Sequence, residues 1–226
     1  MNAPLIIDPL GHPRLIRRLL PAFALLPILA SCAKEDDFDV SGGLNVVRST
    51  CPAVAVPAYT GDISLFSPEQ SRDARALDAT ATITNLRTSC DQTGDIVHTQ
   101  VTFDVVARRS SPHGARDLVL PYFATVMRAG TTIMSKQQSQ VLIHFADGQI
   151  RATGTAGAGA DVQKSLATLP AVAQQRLRRK RKATDADASI DPLADPKIKA
   201  AIAQANFELL IGFQLTDDQL AYNATR

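Results

Sequence analysis

The sequence predicts a mainly β, antiparallel sandwich-like domain with C-terminal helices and a returning last strand. Three observations lead there. Between residues 44 and 153, seven or eight short runs of strand-forming residues are separated by turn signals. Several of these runs alternate strictly between apolar and polar residues, the period of a half-buried strand. Residues 161–206 then take helical spacing, and alternation returns over 207–215.

In order, Leu44 to Arg48 and Ala53 to Val56 are short strands, with Pro52 and Pro57 marking an edge or an end. Ile63 to Phe66 is the next. Leu77, Ala79, Ala81 and Ile83 then share one face, opposite Asp78, Thr80, Thr82 and Thr84. After Asn85 the parity moves to Leu86, Thr88 and Cys90, which predicts a bulge. Asp91 to Asp95 is a turn, and Val97 to Ala107 alternates again, so these two strands should form a hairpin. A polar loop follows from Arg108 to Gly114.

Leu118 to Met127 is apolar on both faces, as in a central strand, although Pro121 argues for a bulge or an edge. Gly130-Thr131 turns the chain into Ile133 to Phe145, whose polar stretch Ser135 to Gln140 is expected to be an exposed partner-binding edge. Asp147-Gly148 is a hairpin signal leading to Ile150 to Thr153. Gly154, Gly157 and Gly159 predict a linker rather than a phosphate loop, because the G-x-G-x-x-G spacing is missing and no Gly-Lys-Ser/Thr follows.

Asp161 opens the helical part, and Pro170 sits in the first turn of a second helix expected to run through Lys182. Asp195 and Pro196 are the N-cap and first residue of another, with Ile198, Ala201, Ile202 and Ala205 on one face. Phe207, Leu209, Ile211, Phe213 and Leu215 form a strand that should rejoin the sheet. Thr216 and Gln219 make a capping box, and Leu220 and Tyr222 can fold the last helix back.

Ahead of this domain lies a leader. Arg14, Arg17 and Arg18 precede an uncharged apolar run, Leu19 to Ala30, interrupted by Pro21 and Pro27 and shorter than the roughly 20 residues a spanning helix needs. It ends in Leu29-Ala30-Ser31-Cys32, which resembles the lipobox of bacterial lipoproteins. The resemblance implies cleavage after residue 31, a lipid on the Cys32 sulfur, and a stable anchor of more than one acyl chain. Ala33 stands where many inner-membrane-retained lipoproteins carry aspartate, so the resemblance favours the outer membrane, facing the periplasm. Residues 32–43 are then an acidic, glycine-ended tether and 44–226 a single domain. The whole arrangement resembles envelope lipoproteins of Gram-negative bacteria, a likeness that brings no activity with it.

Without its first 31 residues the chain has 21 basic and 21 acidic residues, so no global field recruits nucleic acid. The two cysteines after Cys32, Cys51 and Cys90, are expected to pair in an oxidising compartment, closing a loop worth about 4 kcal/mol in chain entropy. Two buried thiols are the alternative. Arg176, Arg178, Arg179, Lys180, Arg181 and Lys182 form a basic run. It reads first as a solvated helix end answering Asp185, Asp187, Asp191 and Asp195, and second as a contact for anionic lipid or envelope polymer. Nucleic acid fits poorly, since no aromatic residue interleaves the run.

No nucleophile, metal or cofactor motif occurs after Cys32. His98 and His144 fall on outward or mixed strand positions and His113 in a loop, so no catalytic residue, metal ligand or cofactor site is assigned. The expectation is a membrane-anchored binding or structural module whose partner would be an envelope protein, with two rivals. A periplasmic hydrolase would need a deep pocket holding His98 or His144 near a Ser or Asp; an assembly or chaperone-like factor would grip anionic partners through the basic helix.

Overall fold

Residues 49–225, apart from 180, 181, 183, 187 and 188, are described by a computed structural model. The expected strand at Leu44 to Arg48 lies outside the described residues, as do the leader and Cys32. Eight strands follow one another as β1 (Ala53–Ala55), β2 (Asp62–Phe66), β3 (Leu77–Asp91), β4 (Ile96–Arg109), β5 (Arg116–Arg128), β6 (Thr132–Phe145), β7 (Arg151–Gln163) and β8 (Phe207–Phe213). Among the described residues four α-helices complete them: α1 (Lys164–Ala167), α2 (Ala171–Arg178), α3 (Pro196–Gln204) and α4 (Asp217–Thr225).

The strands make two four-stranded sheets, ordered β1-β8-β5-β6 and β2-β3-β4-β7. Every ladder is antiparallel except the short β1–β8 pair. The alternating residues face inward as their period requires. Val101, Phe103 and Val105 of β4 meet Leu120 and Tyr122 of β5, Ile143 and Phe145 of β6, and Leu209, Ile211 and Phe213 of β8 in one core. Phe103 stands edge-on to Tyr122 with centroids 5.2 Å apart, and the Tyr122 hydroxyl donates across the sandwich to the Gly157 carbonyl at 2.6 Å. That bond satisfies the one polar atom which burial of the tyrosine would otherwise strand.

Most local expectations are met. The bulge falls between Thr84 and Arg87, with Asn85 at φ 52°. β8 does return to a sheet, seated between β1 and β5. β5 is central despite Pro121, because β8 ends at Phe213 opposite Tyr122, leaving no ladder position for the missing N–H; the Pro121 carbonyl still accepts from Gln214 at 2.9 Å. Asp195 caps α3 through the Lys197 N–H at 2.9 Å, and Thr216 and Gln219 exchange the two bonds of a capping box at 3.0 and 3.3 Å.

Four expectations need correction. The glycine stretch is not a linker: Arg151–Gln163 is a 13-residue strand paired with β4 along its length. Small residues are required there because the backbones crowd. A Cβ on Gly154 would lie 2.6 Å from the Leu142 carbonyl of β6. The helical part accordingly starts at Lys164, not Asp161. The Asp147-Gly148 turn forms, with Gly148 at φ 80°, but the strands it joins lie in different sheets, so it is a corner rather than a hairpin. Finally, α2 stops at Arg178 instead of Lys182. Successive cations give little reason to continue a helix, and Asp185 accepts the Lys182 N–H at 3.1 Å outside it.

The corner is held by a residue the sequence did not single out. Arg109, at the end of β4, is 3% exposed. Its guanidinium donates to the carbonyls of Gln149, Gly114, Pro112 and Ala146 at 2.7–3.0 Å and lies over the Phe145 ring. It therefore ties the β4–β5 loop to the β6–β7 corner at one end of the sandwich. The opposite end gathers the start of β4, the end of β5, the start of β6, the end of β7, and α1.

Candidate functional site

Cys51 and Cys90 are disulfide-bonded, with Cα atoms 6.2 Å apart and a sequence separation of 39. The bond joins the segment ahead of β1 to the end of β3. Thr50 adds a hydrogen bond to Gln92 at 2.8 Å, and the Gln92 carbonyl takes the Lys164 ammonium at 2.7 Å. Thus the chain enters the domain at the end where α1 begins. A buried threonine, Thr99, donates weakly to the Cys90 sulfur at 3.5 Å.

The basic run is only partly solvated. Arg176 lies 3.9 Å from Asp195, the α3 N-cap, and Arg179 lies 3.5 Å from Asp185. Arg178 and Lys182 are exposed, while Lys180 and Arg181 lie outside the described residues. Of the four aspartates expected to answer the run, Asp185 and Asp195 do so, and Asp187 lies outside the described residues. These pairs are long and exposed, and each is worth at most a fraction of 1 kcal/mol.

The histidines do not converge. His98 pairs with Asp161 at 2.8 Å and His144 with Asp117 at 2.6 Å, both as exposed cross-strand pairs on the outer faces of different sheets. Neither lines a cavity described below, and no serine is bonded to either ring. Among the described residues no group of three or more His, Cys, Asp and Glu is placed to hold a metal ion. Asp104, on the outer face of β4, accepts from Arg87 in a bidentate pair at 2.9 and 3.0 Å, from Asn85 at 2.6 Å and from Thr155 at 3.1 Å. Arg87 foremost, then Asn85, hold its carboxyl well below the usual carboxylate range. This carboxylate locks β3, β4 and β7 together.

One polar cavity was not visible in the sequence. A cavity of about 510 Å³ lies between β2, the loop after it, and α4. Phe66 and Tyr222 meet edge-to-face in it, centroids 5.3 Å apart, and Arg72 lies over Phe66. Arg72 donates to the Glu69 and Ser71 carbonyls at 2.7 and 2.8 Å and stands 3.7 Å from Asp218 of α4. Asp78 contributes a carboxylate already gripped by Arg116 at 2.6 and 2.7 Å, whose hydrogen bonds lower its pKa. A volume of this order admits a small polar molecule. It offers charge and an aromatic wall, with no His, Cys or Lys in its lining. Only α4 folding back closes the space, and Asn223 fixes that fold by donating to the Tyr59 and Asp62 carbonyls at 2.8 and 2.7 Å.

The Ser135–Gln140 stretch is exposed on both faces of β6, the outermost strand of its sheet. Only Lys136 is charged, and it lies over Phe123. Among the described residues no helix is long and apolar enough to cross a membrane. Compared with known protein families, curated proteins and solved structures, the chain matches none.

Proposed function

We propose that the chain is a lipid-anchored envelope protein whose β-sandwich serves as a binding or structural module, held at the outer membrane and facing the periplasm. The observation that carries this reading is the Cys51–Cys90 disulfide. Structural disulfides persist in oxidising compartments, which agrees with an export leader ending in Leu29-Ala30-Ser31-Cys32.

Intact mass of the membrane-extracted protein, with and without Cys32→Ser, tests the reading. A mass of the chain from Cys32 plus acyl groups, abolished by the substitution, is the expected result. An unmodified or merely cleaved chain would overturn the anchoring.

A further inference from the structure

We propose that the helical end of the sandwich docks on an anionic lipid bilayer. The choice of bilayer, the one in which Cys32 would sit, rests on the anchoring reading; the surface itself does not. Three features converge on this end. The chain enters the domain here, through the Thr50–Gln92–Lys164 hydrogen bonds and the neighbouring disulfide. The 16 residues between Cys32 and Ser49 can reach at most about 55 Å, so an anchor at Cys32 keeps this end within that distance of the surface.

Charge is segregated to the same end. Among the described residues, 161–200 carry seven Lys and Arg against four Asp, a net charge of +3, while the others carry −3. A domain that is neutral as a whole therefore presents a positive end. Juxtaposed to an anionic leaflet, each such cation contributes up to about 1 kcal/mol.

Apolar side chains protrude beside the cations. Val172 of α2 is 74% exposed and shares a face with Arg176, at i and i+4. Leu166 of α1 and Ile96, Ile133 and Met134 at the adjoining strand ends are also exposed. Cations interleaved with apolar knobs suit the headgroup boundary, where ammonium and guanidinium groups meet phosphate while the knobs enter the acyl edge. A soluble anionic polymer would use the cations but leave the knobs in water.

The test uses the chain from residue 32 with Cys32→Ser, which has neither lipid nor leader. It keeps the whole core, whose members all fall between Val54 and Leu215. Co-sedimentation is measured with phosphatidylcholine vesicles, alone or mixed with phosphatidylglycerol. Binding is expected only to the mixed vesicles and should fall steeply between about 0.1 M and 1 M salt. Arg178→Gln with Lys182→Gln should weaken it about 30-fold, and Val172→Ser about 5-fold. Equal binding to both vesicles, or binding indifferent to the Arg178 and Lys182 changes, would overturn the proposal. So would retention on soluble polyphosphate without retention on vesicles, which would assign the patch to a polymer. Failure of the anchoring reading is seen separately, in the mass of the native protein, and leaves these outcomes unaffected.

Discussion

Replacing Arg109 by methionine should cost the domain about 4 kcal/mol, although the residue touches no carboxylate in the structure. Four carbonyls, of Pro112, Gly114, Ala146 and Gln149, are bonded to one cation that is 3% exposed. A hydrogen bond to a charged group is worth about 1.5–3 kcal/mol, but loop carbonyls can turn partly to water, which reduces each loss to about 1 kcal/mol. Methionine retains the stem packed near Phe145, so the cavity penalty stays small. For a domain of this size the midpoint of thermal unfolding should fall by about 8–16 °C. Urea unfolding followed by circular dichroism measures the loss directly, with Arg108→Met, an exposed neighbour on the same strand, as the control. Arg109→Lys should fall between the two, since a point charge cannot reach four carbonyls around a planar fork. If Arg109→Met lies within about 1 kcal/mol of Arg108→Met, the carbonyl clamp does not hold the corner and the reasoning is wrong.

Crowding along β7 predicts opposite outcomes for two of its glycines. Gly154→Ala should destabilise by about 1–3 kcal/mol, because the obstacle at 2.6 Å is the Leu142 backbone; Gly159→Ala, facing only the movable Gln100 side chain, should be neutral or slightly stabilising. Equal urea midpoints for the two variants would contradict this. Asp104 sets an acid dependence: its folded carboxyl titrates below the unfolded value of about 3.9. The stability it supplies is therefore complete above that value and is lost as pH falls through the folded one. Asp104→Asn should lower the urea midpoint at pH 7, and the gap to the parent should narrow progressively below about pH 4. A gap of constant size from pH 7 to pH 2.5 would refute the assignment.

Much of the fold was determined by the sequence itself, because a strand facing a core on one side must alternate and a helix end must be capped by nearby residues. That is why β3, β4 and β8, the bulge at Asn85, the Asp195 cap and the Thr216–Gln219 box could be read locally. The pairing of Cys51 with Cys90 was legible for a related reason: the two cysteines after Cys32 leave one possible bond between them. Tertiary structure alone decided what depends on residues far apart in the chain. Gly154 looked like linker because its need for close backbone approach comes from Leu142, on a strand with which β7 shares no ladder. Asp147-Gly148 carries the same local preference whether the strands beyond it pair or part, and only the Arg109 clamp and the crowded crossing show that they part. The β2–α4 cavity joins residues 64–78 to 216–222, a meeting that no periodicity encodes. The positive end likewise appeared in sequence only as a basic run. Its position beside the point where the chain enters the domain is set by the Gln92–Lys164 contact, between segments separated by 72 residues.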